Sequence, residues 1–266
     1  MRARVAVALA LCTALGAITP AAADLGVSRR HLKRHLAFSA LGGAGYILSE
    51  TVLKSHLAAE TCRWCEPTAF DGAMRSALVW HDKTTPHVIS GITGYFLPPV
   101  IGLGGLLWAA HDRGDLGSFL DDGLAVVEAG VIVGLVNQPI KFAIGRQRPF
   151  VHYGDPARPH ETDDNMSFYS GHTSISTALA VAAGSIASRR HSRHAPWIWT
   201  AGLTAAAATG YLRIAADKHY ATDVLMGAAT GALIGWGVPR WLHAHGAEHA
   251  IAIMPTAGGA MIAGTF

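Results

Sequence analysis

The chain has 266 residues, of which 50% are hydrophobic and 15% charged. Soluble domains carry about 25% charged residues, so this balance points to helices in a membrane or to a very apolar helical core. The net charge of +3, with no basic patch interleaved with aromatics, does not suggest a nucleic-acid partner.

Residues 1–23 read as a secretory signal. Arg2 and Arg4 form a basic start, an apolar stretch follows, and Ala21-Ala22-Ala23 offers an A-x-A cleavage site. Residues 24–86 form an N-terminal region. A basic run, SRRHLKRH, precedes the apolar segment 36–48, which is short of the roughly 20 residues a span requires before Glu50 intervenes. The segment reads as a surface or short membrane helix, with extension to about Leu57 as a polar-tolerant span as the alternative. A crossing here would reverse every later side if the signal were cleaved, so the non-crossing reading is preferred. Residues 58–86 look polar and irregular. They hold Cys62 and Cys65 in a C-x-x-C pair, for which a disulfide is expected in an exported chain, with free thiols as the alternative.

Residues 87–240 form the core. The stretch 87–110 is apolar and long enough to span, with Pro98-Pro99 expected to kink it. Residues 124–144 form a second candidate, interrupted by Glu128 and Asn137. A polar loop over 150–168 precedes an apolar run at 172–187, the basic turn SRRHSRH at 188–194, and two last candidates at 196–214 and 223–238. A tail, 241–266, follows. No strand-like alternation stands out, so the chain reads as an all-α helical bundle. Several stretches are short for spans, which keeps a buried soluble bundle as the alternative. Against it, they are apolar nearly all round. In an up-down arrangement the polar clusters described next share one side, and the basic turn lies on the other. Charge bias makes that turn cytoplasmic and the clusters periplasmic.

Three polar clusters close or open these helices: KFAIGRQRP ending at Pro149, YSGHT from Tyr169, and RIAADKHYATD from Arg213. Lys141 and Arg148 face one direction if the helix continues between them, with Pro149 stopping it. Lysine offers a compact charge and arginine a fork that matches two phosphate oxygens. Ser170 is placed as a phosphate ligand or a cap, Gly171 lets backbone approach an anion, and His172 is a candidate proton donor. His219 and Asp223, four apart, share one face of a helix, where the carboxylate would fix the imidazole tautomer. The free ring nitrogen would then attack phosphorus, with Arg213 stabilising the equatorial oxygens. Asp217 and Lys218 read as solvated loop charges. His152 and His160 lie scattered in a loop and suggest no metal set.

These spacings resemble those of the type 2 phosphatidic acid phosphatase superfamily, which also includes bacterial class A acid phosphatases and vanadium haloperoxidases. That pattern is Lys, six residues, Arg-Pro; Pro-Ser-Gly-His; and Ser-Arg, five residues, His, three residues, Asp. Lys141 to Arg148-Pro149 matches in full. Tyr169 stands where the family has Pro, and Leu212 where it has Ser. The resemblance covers about residues 87–240. It implies an all-α bundle of the PAP2/haloperoxidase type, embedded in the membrane. It implies His219 as nucleophile, His172 as general acid and then base, and Asp223 as the orienting carboxylate. Lys141, Arg148, Ser170, Gly171 and Arg213 cradle the phosphate, and no metal or cofactor takes part. The expected activity is hydrolysis of a lipid phosphate or diphosphate in a bacterial inner membrane, at the periplasmic face, with phosphorylated lipid and membrane lipids as partners. The alternatives are a soluble periplasmic acid phosphatase, a vanadium-dependent haloperoxidase, and a non-catalytic membrane protein.

Overall fold

The computed structural model describes residues 29–245, 252–256 and 259–263. The export signal expected at residues 1–23 lies outside the described residues. Helix α1 (Arg29–Leu48) runs without a break into a π-helical turn (Ser49–Leu53) and the short α2 (Lys54–Leu57). Then come α3 (Ala69–Leu78), α4 (Thr84–Tyr95), α5 (Leu97–Arg113), α6 (Leu116–Ile144), α7 (Pro149–His152), α8 (Gly171–Arg189), α9 (Ala195–Ala215) and α10 (Ala221–His245). A small antiparallel hairpin, β1 (Ala252–Thr256) and β2 (Gly259–Ala263), follows the bundle, with Met254 opposite Met261.

The bundle is built around α8. From Gly171 to Ala187 every residue of this helix except His172 is buried. Its serines and alanines leave room for close neighbours on all sides. On α10, Gly227, Gly231 and Gly235 recur every four residues and so form one stripe. A Cβ at these positions would lie 2.7 Å from the Ser170 carbonyl, 2.3 Å from that of Ser174 and 2.4 Å from that of Ala178. The two helices therefore meet backbone against backbone, as small residues permit in a membrane. Val126, Ala129 and Val133 of α6, Leu106 of α5 and Ile198 of α9 complete the core around α8.

The outward faces are apolar too. Leu41, Phe96, Val100, Trp197 and Leu233 are all more than two-thirds exposed. Three helical stretches, residues 32–57, 84–113 and 221–242, are long and apolar enough to cross a membrane. An apolar skin on an apolar core is stable only where lipid replaces water. Apart from the small hairpin after it, the described structure is an all-α membrane bundle.

Four local expectations change. The segment at 36–48 does not stop before Glu50: the π-helical turn carries the helix on to Leu57, and Glu50 turns inward to accept a hydrogen bond from Gln138. Helix α1 runs parallel to α6, pairing His35 with Glu128 at 2.6 Å, Gly42 with Val131 and Tyr46 with Gly134. It is thus long enough to cross and aligned with a core helix, where the sequence favoured a non-crossing segment. Second, the region read as irregular contains α3, capped by Thr68, whose side chain accepts from the Asp71 amide. Third, Pro98-Pro99 do not kink a continuous helix. The chain breaks at Phe96, and both prolines lie in the first turn of α5, where a missing N–H costs nothing. Fourth, α6 ends at Gly145 in the left-handed region (φ 58°), before Pro149 is reached.

Candidate active site

Helix ends bring the three clusters to one end of the bundle, but not by the route their spacings suggest. Because α6 stops at Gly145, Arg148 is extended (φ −76°, ψ 152°) rather than two helical turns beyond Lys141. The two meet because the chain folds back. Lys141 sits in the last turn of α6, and its Nζ is 3.6 Å from where a Cβ on Gly171 would stand. Gly171 begins α8, and a side chain there would also meet Asn137 Oδ1 at 3.0 Å. The residue is small because the lysine and asparagine occupy the space.

Arg148 is buried. Its Nε donates to the Asp163 carbonyl (2.8 Å) and its Nη1 to the Lys218 carbonyl (2.9 Å). The same Nη1 lies 3.4 Å from His219 Nε2. His219 Nδ1 is 2.8 Å from the Ser167 carbonyl. A carbonyl only accepts, so Nδ1 carries the proton and Nε2 is left with its lone pair toward the arginine. The tautomer is therefore set by backbone.

Asp223 stands differently from the expectation. His219 precedes α10 and Asp223 lies in its first turn, so they do not share a helical face. The carboxylate is 3.7 Å from His219 Nδ1. It accepts instead from Ser167 Oγ (2.5 Å), the Tyr220 amide (2.9 Å) and Arg146 Nη1 (2.6 Å). Asp223 holds Ser167 by its hydroxyl, and Ser167 holds His219 by its carbonyl.

Burial pushes the His219 imidazole well below the ordinary histidine range, and the nearby charges of Arg148, Arg213 and Lys141 push the same way. The ring is neutral at physiological pH. Arg213, near the end of α9, reaches His87 Nδ1 (3.2 Å) and Ser90 Oγ (3.3 Å) with Nη1. Its buried Nε has no hydrogen-bond partner among the described residues. A buried guanidinium edge without an acceptor suits an arriving anion. His172 packs against Tyr95, its Nδ1 3.4 Å from the phenolic oxygen. Ser170 serves as the cap of α8: its hydroxyl lies 2.9 Å from Thr173 Oγ1 and its amide donates to the Asp223 carbonyl.

The structure adds residues the motifs do not contain. Arg146 is 1% exposed and bridges two buried carboxylates, Asp223 and Asp71. Its guanidinium lies between the Trp64 ring (3.8 Å) and the Tyr220 ring (4.3 Å). Asp71 accepts in turn from the Thr222 amide and hydroxyl, both at 2.9 Å. The only hint in the sequence is an arginine two before the motif arginine. Asp217, expected in solvent, is 0% exposed and takes both Arg75 nitrogens (2.6 and 2.7 Å) and Lys83 (2.6 Å). These cations outweigh burial and hold its carboxyl below the usual range. The expected pairing of Cys62 with Cys65 is present as a disulfide, in the loop that carries Trp64. Among the described residues no group of His, Cys, Asp and Glu is arranged to hold a metal ion.

At one end of the apolar bundle the helix ends gather two histidines, three cations and a glycine turn, an arrangement whose charge suits an anion. The family model of the PAP2 superfamily matches residues 122–247. A lipid A 1-phosphatase of Porphyromonas gingivalis is 38% identical over 102 residues, which is 38% of this chain and 19% of that protein. This chain thus aligns with about a fifth of that relative's length. A crystal structure of a transmembrane PAP2 type phosphatidylglycerolphosphate phosphatase from Bacillus subtilis superposes with a TM-score of 0.48 at 21% identity, covering 80% of this chain and 96% of that one.

Proposed function

We propose that this chain is a phosphatase that hydrolyses a lipid phosphate or diphosphate through a phosphohistidine, without a metal, at the periplasmic face of a bacterial inner membrane. The observation that carries the reading is His219. Its Nδ1 is committed to the Ser167 carbonyl and its Nε2 faces Arg148 at 3.4 Å, with Lys141 and Arg213 buried nearby. A phosphoryl group on these cations has its phosphorus open to Nε2.

In the first step the Nε2 lone pair forms the P–N bond while the P–O bond to the lipid breaks. Arg148, Lys141 and Arg213 offset the charge on the equatorial oxygens. His172 delivers a proton to the departing lipid oxygen. In the second step His172 takes a proton from water, the hydroxide oxygen attacks phosphorus, and the P–N bond breaks. Inorganic phosphate leaves and His219 is regenerated. The P. gingivalis relative is named for a lipid phosphate, and helices long and apolar enough to cross a membrane support a lipid-borne substrate. Orientation is supported by charge. The basic start of α1 and the Arg189–Arg193 turn lie at the end of the bundle opposite the site, as the contacts His35–Glu128 and Arg190–Asp122 show.

His219→Ala should abolish phosphate release from phosphatidic acid or an isoprenyl diphosphate, with EDTA present throughout, while the protein still purifies as a folded helical chain. Unchanged turnover in that variant would exclude the mechanism. Activity in an osmotic-shock fluid, independent of membranes and detergent, would favour a soluble ester as substrate.

A further inference from the structure

The segment outside the family match supplies a cation that no motif announces. Lys54 opens α2, and its Nζ forms an ion pair with Asp163. It also lies 3.5 Å from Glu50. Glu50 accepts from Gln138, one turn before Lys141 on α6. The π-helical turn is thereby fastened to the helix that contributes Lys141, and Lys54 is carried to the mouth of the site. The second oxygen of Asp163 is 3.3 Å from Arg148 Nη2. A single carboxylate thus bridges Lys54 and Arg148.

The Arg148 fork is divided between two places. Nη1 lies beside His219 Nε2 at 3.4 Å, and Nη2 lies beside Asp163. The phosphorus that His219 attacks belongs on the Nη1 side. The place held by the Asp163 carboxylate adjoins it on the Nη2 side of the fork, with Lys54 at the other carboxylate oxygen. In-line displacement puts the leaving oxygen on the side of phosphorus away from the nucleophile. Carboxylate and phosphate present oxygens to lysine and arginine in the same manner. The Asp163 side chain is 38% exposed and Lys54 21%, against 5% for Arg148, so a more highly charged anion arriving from this side can compete with the carboxylate for the two cations.

We propose that Lys54 and Arg148 Nη2 form a second anion subsite that takes the adjoining phosphate of a diphosphate, and that the Asp163 carboxylate occupies it when no such group is bound. The role in substrate choice rests on the phosphatase reading above, but the anion preference does not require turnover. Binding therefore tests it independently of catalysis. Isothermal titration of the full chain in detergent, with methylenediphosphonate against methylphosphonate, compares two anions that are not hydrolysed. Lys54→Met should weaken methylenediphosphonate about tenfold, the loss of one charge-assisted contact, and change methylphosphonate less than about twofold. Lys54→Arg should largely retain the preference. Asp163→Asn should tighten methylenediphosphonate, because the competing carboxylate is neutralised. Equal weakening of both anions by Lys54→Met, no change in either, or weaker diphosphonate binding in Asp163→Asn would overturn the proposal. If the wild type binds as expected yet releases no phosphate from any lipid, the phosphatase reading fails while the subsite stands.

Discussion

At the scale of single residues, the site depends on how buried charges are divided. Arg146 neutralises two carboxylates that are both fully enclosed, Asp71 and Asp223. Removing one partner of such a cluster leaves uncompensated charge and costs about 3–5 kcal/mol. Arg146→Met should lower the unfolding midpoint in detergent by several degrees and reduce phosphate release strongly, since Asp223 holds Ser167 and Ser167 holds His219. Arg146→Lys should rescue neither readout fully, because lysine lacks the fork that reaches two acids and the plane that fits between Trp64 and Tyr220. The pH dependence follows from His219. A depressed pKa means that the neutral, attacking form persists below the ordinary histidine value of about 6.5. The acid limb of kcat/KM should therefore fall below pH 6.5, and a limb at or above that value would contradict the assigned environment.

At the scale of elements, the α8–α10 contact sets the distance between the two histidine-bearing segments. Gly231→Val would drive a side chain into the Ser174 carbonyl, since even a Cβ would stand 2.3 Å away. Overpacking of this kind costs typically about 1–3 kcal/mol. Gly237 on the same helix has nothing within 4 Å of its would-be Cβ, so Gly237→Ala should be neutral or slightly stabilising. Thermal unfolding of the two variants side by side separates close packing from helix propensity.

Much of this was legible beforehand. Apolar runs located α8 and α9 within two residues, while α10 continues to His245, past the end at 238 that its apolar run suggests and into the expected tail. What could not be read was set by local chain reversal. Gly145 in the left-handed region takes Arg148 off the helix that Lys141 belongs to, and no periodicity reports that. Asp217 was taken for a loop charge because its partners, Arg75 and Lys83, lie more than a hundred residues away in sequence. Glu50 looked like the end of an apolar segment because its acceptor role toward Gln138 exists only after α1 and α6 pack.

At the scale of the molecule, both basic segments lie at the end opposite the site. Replacing Arg189, Arg190 and Arg193 together with Lys33 and Arg34 by neutral residues should randomise orientation. Wild-type reporter fusions at Ser192 should signal a cytoplasmic position and fusions within residues 154–160 a periplasmic one. The opposite pattern would place the site on the cytoplasmic side.

Helix α8 has one further consequence. Its surface from Ser170 to Ala187 is enclosed by protein save at His172, so almost none of it touches acyl chains. Tilting and stretching caused by hydrophobic mismatch fall on the helices that face lipid. The helix that begins at the candidate site is shielded from them. Phosphate release in vesicles should therefore vary little with the chain length of the host lipids, even where the outer helices must tilt to fit.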